Sequence, residues 1–179
     1  MAAWTARDNE TNITLKVRAL LYKLRPSETP TTLIAICKDL ITVFTQNPKT
    51  INLVYTDHFL MPIVDLLGNS RDQIVILGIM SVLNKCIFGN IILQETLCIL
   101  GGIPTVIKYH SVEYSREIRH EVIIFINSLC LFKNTLQMFV CCRGMPVLVE
   151  YFKEHSDFQL VGIAADCILK TLELAVYFI

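Results

Sequence analysis

An all-α fold made of repeated helical units is what this sequence predicts, and three observations carry the prediction. The first is a proline spacing. Pro62, Pro104 and Pro146 are evenly spaced along the chain, in the matching contexts FLMPIVDLLGNS, GGIPTVIKYHSV and RGMPVLVEYFKE. Proline lacks the amide hydrogen that the first turn of a helix leaves unused, so each of these opens a helix. The second is that other segments recur at a similar pitch: SVLNKCIFGN (81–90) matches FINSLCLFKN (125–134), and ILQETLCIL (92–100) matches TLQMFVCC (135–142). The third is local. Val75, Leu77, Ile79, Val82, Leu83 and Cys86 return at three- and four-residue steps, whereas period-two alternation and Asn-Gly or Asp-Gly hairpin turns do not occur.

Features recurring in one order every ~40–47 residues mark an armadillo/HEAT-like array. The expected architecture is a right-handed superhelical solenoid of about three and a half repeats in one domain. Residues 11–49, NITLKVRALLYKLRPSETPTTLIAICKDLITVFTQNP at their centre, read as a partial N-terminal capping unit: a helix, a proline-bounded turn and a second helix. Residues 50–91, 92–134 and 135–179 read as repeats of a short helix, a turn, a helix at the proline and a longer third helix. In the 92–134 repeat these fall at roughly 92–100, 103–110 and 116–132. The final residues are apolar where the outer end of a solenoid should be polar. Val176, Tyr177, Phe178 and Ile179 are therefore expected to form a self-association patch, most simply a two-fold dimer contact.

Composition narrows the function. Of 179 residues 53% are apolar and 18% charged, and 16 basic residues balance 16 acidic ones, so no global field recruits nucleic acid or an anionic membrane. Charged residues interrupt every run before the ~20 apolar positions of a membrane span. The N-terminus lacks the apolar core of a secretory signal. Seven cysteines, most of them inside apolar helical patterns, suit reduced thiols in a cytoplasmic protein.

The stretch LQMFVCCRGMPVLVEYF (136–152) poses a sharper question, because its cysteines could serve a reactive or a metal site. Adjacent helical residues diverge by about 100 degrees, so Cys141 and Cys142 cannot share a tetrahedral metal, and no C-x-x-C or C-x-x-H accompanies them. The expectation is a helix joint. The cysteines end one helix as buried apolar groups, Arg143-Gly144 turn the chain on the glycine, and Pro146 starts the next helix. The pairs Glu113 with Glu117 and Glu150 with Glu154 have i, i+4 spacing and read as solvent faces rather than catalytic carboxylates. No catalytic residue, metal ligand or cofactor site is expected.

GGIP (101–104), followed in the next long apolar helix by Asn127, resembles the armadillo repeat. More narrowly, LQMFVCCRGMPVLVEYF and LVGIAADCILKTLEL (160–174) resemble the C-terminal non-catalytic armadillo region of one kinase group, the fungal septation-initiation and mitotic-exit kinases with plant MAP kinase kinase kinase epsilon. The kinase signature motifs themselves are not in this sequence. The resemblance implies a non-enzymatic interaction module of a Ste-type kinase. Its implied partners are a Ras-like small GTPase and a scaffold, and its implied place is the cytoplasm, at the spindle pole body or cytoskeleton, in mitotic exit or septation. It also places Asn84 and Asn127 in a partner groove, with Thr42 and Lys170 at the matching places of the outer units; a helix-side amide bonding a neighbouring loop is the plainer reading. Lys16, Arg18, Lys23 and Arg25 form a basic N-terminal face, for an acidic partner surface or simply for solvent. A freestanding armadillo adaptor that grips an extended peptide, unconnected with any kinase, is the competing reading.

Overall fold

The computed structural model describes residues 2–154 and 157–176, and every regular element among them is helical. The order is α1 (Ala2–Lys23), α2 (Pro30–Gln46), a 3-10 turn (Pro48–Ile51) leading into α3 (Asn52–Thr56), α4 (Leu60–Asn69), α5 (Gln73–Ile87), α6 (Ile91–Ile99), α7 (Gly102–Ile107) with a 3-10 extension (Lys108–His110), α8 (Arg116–Leu129), α9 (Lys133–Cys141), α10 (Gly144–Lys153) and α11 (Phe158–Val176). The chain forms two compact units, residues 1–86 and 87–179. No single described helix is long and apolar enough to cross a membrane; α6 and α7 qualify only together, and they are bent by 83°.

In the first unit α2 shows how sequence makes helix. Thr29 caps it, its hydroxyl accepting from the Thr32 amide at 3.3 Å, and Pro30 opens the first turn. Leu33, Ile36, Cys37, Leu40, Val43 and Phe44 then fall on one buried stripe. The helix stops before Asn47-Pro48, since a proline disfavours helical backbone in the residue ahead of it. Gly78 of α5 lies close to Cys37, where an added Cβ would sit 3.2 Å from the Cys37 Cβ.

The second unit repeats a three-helix motif twice, α6–α8 and α9–α11. Gly101 takes a left-handed conformation (φ +78°) to join α6 to α7, and Gly102 sits where any Cβ would strike Leu97. The next joint differs from expectation in two ways. Arg143, not Gly144, adopts the left-handed backbone (φ +61°). Gly144 is instead required by close approach, because no Cβ fits beside the Phe139 ring. Cys141 and Cys142 are exposed, not buried. The short helix α9 turns Leu136 and Phe139 inward. Cys141, two residues on from Phe139, falls on the opposite side of that helix, and Cys142 lies past its end.

Candidate protein-interaction surface

The third helix of each motif begins at a side-chain cap, and the caps set the register of everything after them. Thr29 caps α2, Asp72 accepts from the Ile74 and Val75 amides at 2.8 and 3.1 Å, Ser115 accepts from Ile118 at 3.4 Å, and Asp157 accepts from Gln159 and Leu160 at 3.2 and 3.3 Å. Asn84 and Asn127 stand at equal counts from their caps, Asp72 and Ser115. The same count from Thr29 reaches Ile41, and from Asp157 it reaches Leu169. Thr42 and Lys170 are therefore one position out of register with the asparagines. Matching whole segments hides this offset, because the loops ahead of the caps differ in length.

Asn84 is buried in α5 (7% exposed). Thr42 is exposed, and its hydroxyl donates back to the Lys38 carbonyl at 2.9 Å. In the second unit the long Lys170 side chain reaches back to Asn127, Nζ donating to Oδ1 at 3.2 Å while Asp166 holds the same ammonium at 2.6 Å. Burial lowers the Lys170 pKa, but the Asp166 carboxylate outweighs it and the net shift is upward. Leu169 and Leu172 stand exposed on α11 at 59% and 56%, and Phe158 at its start is exposed as well.

Along the second unit a set of polar contacts joins each residue to one about a repeat away. The His110 ring contacts Glu150 at 2.6 Å. Arg119, a residue only 8% exposed, grips both oxygens of Glu154 with its guanidinium and donates to the His110 carbonyl at 3.0 Å, while the buried Tyr151 hydroxyl donates to the Arg119 carbonyl at 2.9 Å. Arg116 pairs with Asp157 at 2.5 Å. The hydrogen bond from Arg119 holds the Glu154 carboxyl below its usual range, and Arg116 does the same to Asp157. His110, Ser111, Val112, Arg119, Glu150 and Glu154 line a cleft of about 400 Å³. Deeper, Gln94 donates to the Ile87 carbonyl at 2.9 Å and stands 3.2 Å from the Thr135 hydroxyl, both residues fully buried.

These contacts revise the reading of the carboxylates. Glu113 lies in the turn before α8, so it shares no helix with Glu117. Glu150 stays exposed at 64% while touching His110, and the partly exposed Glu154 is latched by Arg119. The basic N-terminal residues do not form one face either. Lys16 and Lys23 lie two turns apart and coincide on α1, Arg18 falls on the side roughly opposite Lys16, and Arg25 lies beyond the helix. Arg18 is also committed, pairing with Asp57 at 2.7 Å, which holds that carboxyl below its usual range. Tyr177, Phe178 and Ile179 lie outside the described residues, as does the side chain of Val176, whose backbone closes α11. Burial pushes the Cys37, Cys86 and Cys98 thiols up to about 12. Among the described residues no group of three or more His, Cys, Asp and Glu is arranged to hold a metal ion.

The fold is that of the armadillo-repeat proteins. An engineered protein superposes with a TM-score of 0.77 at 18% identity, over 87% of this chain and 62% of its own. The designed armadillo repeat protein YIII(Dq)4CqI superposes at 0.71 with 17% identity, over 86% of this chain and 62% of its own. YIII(Dq.V1)4CPAF, solved in complex with the peptide (KR)4, also gives 0.71 at 17% identity, over 90% and 70%. In sequence the chain is homologous to one segment of the cytokinesis protein sepH and the MAP3K epsilon kinases. It is 34% identical to sepH of Aspergillus niger over 163 residues, 88% of this chain, and 34% identical to MAP3K epsilon protein kinase 1 of Brassica napus over 160 residues, 87% of this chain. The chain spans about 12% of the length of these curated relatives. No family model matches it.

Proposed function

We propose that this chain is a non-catalytic protein-interaction module, the armadillo part of a Ste-type kinase that docks a Ras-like small GTPase or a scaffold in mitotic-exit or septation signalling. The observation that carries the reading is the 34% identity over 88% of the chain to a segment of a cytokinesis protein, with a matching segment in MAP3K epsilon kinases. Binding of the purified chain to Ras-like GTPases loaded with GTP or GDP tests it. Saturable micromolar binding to one of them is the expected result, and no binding to any, in either nucleotide state, removes the GTPase partner. Lys16, Lys23 and Arg25 are the basic residues available to an acidic partner, and their joint replacement by Ala should slow its association at low salt. In cells the chain should localise to the cytoplasm and gather at the spindle pole; a uniform distribution through division counts against that placement.

A second reading has its own support, since a protein of this fold was solved with the peptide (KR)4. In it the half-buried Asn127 of α8, with the exposed Leu169 and the Lys170 side chain of α11, takes an extended segment of a partner, and Asn84 serves the first unit alike. Self-association through Val176, Tyr177, Phe178 and Ile179 belongs to the proposal as well. Sedimentation of the wild type and of Tyr177→Glu, Phe178→Glu should show a dimer lost on substitution, and a wild type monomeric at high micromolar concentration refutes it.

A further inference from the structure

We propose that Thr29 is a phosphorylation site for a proline-directed Ser/Thr kinase, and that the phosphate takes over the capping of α2. The chain has six prolines, and Pro30 alone follows a hydroxyl-bearing residue, so Thr29-Pro30 is the one step such a kinase can read. Proline has no amide hydrogen to leave unpaired in an apolar pocket, which is what lets it direct a kinase to the residue before it. It also keeps that residue out of the helical region. Thr29 accordingly has extended backbone, φ −71° and ψ 152°, the shape in which an acceptor is laid across a kinase active site. The segment is accessible too. Arg25, Pro26, Ser27, Thr29, Pro30 and Thr31 are all exposed, and the turn ahead of Thr29 is a surface turn closed by the Glu28 amide donating to the Arg25 carbonyl at 3.1 Å.

The Thr29 oxygen accepts from the Thr32 amide at 3.3 Å and lies 3.0 and 2.8 Å from the Thr31 and Thr32 hydroxyls. These contacts all lie within the first turn of α2, so a kinase can draw the hydroxyl out by fraying that turn alone. The oxygen attacks the γ-phosphorus of ATP, the bond from that phosphorus to the ADP oxygen breaks, and the hydroxyl proton passes to the catalytic aspartate of the kinase and on to solvent. The products are phosphorylated Thr29 and ADP. The new group carries close to two negative charges at neutral pH and three acceptor oxygens. Helix α2 is suited to receive it. It runs for 17 residues and has no acidic residue in its first turn, so no side chain there offsets the positive end of its dipole. The phosphate accepts from the Thr31 and Thr32 amides where the hydroxyl accepted before. Because α2 carries the buried stripe from Leu33 to Phe44, a charge added at this exposed start acts on the core of the first unit.

The test incubates the full chain, folded and heat-unfolded, with MgATP and an activated MAP kinase or cyclin-dependent kinase, in separate arms. Trypsin does not cut at Arg25-Pro26, so the site falls in residues 24–38, and fragmentation of that peptide separates Thr29 from Ser27, Thr31 and Thr32. The expected result is a single phosphate on Thr29 of the folded chain. The label should be lost in Pro30→Ala, which keeps the hydroxyl and removes the directing ring. Thr29→Asn should take no phosphate while keeping a side chain that caps, so its loss of label does not come from a lost helix start. The phosphorylated chain should melt about 1–4 °C above the unmodified one. No phosphate in either kinase arm, phosphate on Ser27, Thr31 or Thr32 in place of Thr29, labelling of the unfolded chain alone, or undiminished labelling of Pro30→Ala overturns the site. A melting temperature that stays level or falls overturns the capping role.

Discussion

Helices α8 and α11 occupy the same place in successive motifs, yet they are buried differently. Counted from the caps, Ile118, Val122 and Phe125 of α8 correspond to Leu160, Ala164 and Cys167 of α11, and all six are fully buried. The second row behaves otherwise. Arg119, Ile123 and Ile126 are buried in α8, whereas Val161, Ala165 and Ile168 in α11 are only half-buried. Helix α11 packs against α8, and burial of one repeat by the next accounts for a row that is closed in one helix and half-open in the other. Half of a repeat's core is thus a property of its neighbour, as a quasi-one-dimensional array requires.

The sharpest way to break this comparison is a matched pair of truncations. Ile126→Ala should cost about 3 kcal/mol and Ile168→Ala about 1 kcal/mol, read as the shift in a urea transition, because only the first opens a cavity between packed helices. Equal costs would mean that both rows are covered alike. The latch gives the next largest effect. Glu154→Gln should lose about 1–2 kcal/mol by removing a charge-assisted bond from Arg119. The carboxyl is held below its ordinary value of 4.5, so its stabilisation is complete above that pH and fades as the pH falls through the lowered folded-state value. Stability measured from pH 6 to 3 should therefore fall less steeply in Glu154→Gln than in the wild type; identical slopes would show that the latch does not contribute.

A smaller change sharpens the comparison of joints. Arg143 holds the left-handed backbone that Gly101 holds one motif earlier, so Arg143→Gly should stabilise by about 1 kcal/mol, visible as a rise in melting temperature. A fall would mean that its side chain contributes more than its backbone costs. The smallest effect is at Asn127→Ala, which should leave the fold nearly unchanged and weaken partner binding by about 1 kcal/mol in calorimetry. Unchanged affinity removes Asn127 from the groove.

The repeat was legible because proline marks the start of the second helix in each motif, and a proline cannot be moved without cost. The caps at Thr29, Asp72, Ser115 and Asp157 were equally visible as letters, but short polar residues occur in every loop, and only their hydrogen bonds distinguish a cap from a turn. The latch was illegible for a different reason. Arg119 and Glu154, or Arg116 and Asp157, look like ordinary surface charges until the fold brings residues 35 and 41 positions apart into contact. Cys141 and Cys142 misled because apolar neighbours in sequence do not say which side a residue takes: Cys141 falls opposite the buried Phe139 on α9, and Cys142 lies past its end.

The four caps have one more consequence, which concerns error. Their spacings are 43, 43 and 42, and the odd interval does no harm. A helix without a fixed starting point would carry a one-residue slip forward as a rotation of about 100° along its whole length. Here each long helix is started afresh by its own side chain, so a slip in the preceding loop is absorbed before the first turn. An extra residue between Ser111 and Ser115 should leave the face of α8 where it was, while the same residue placed after Ile118 should turn Asn127 and every later side chain out of phase. The caps act as punctuation, keeping insertions in one repeat from being read into the next.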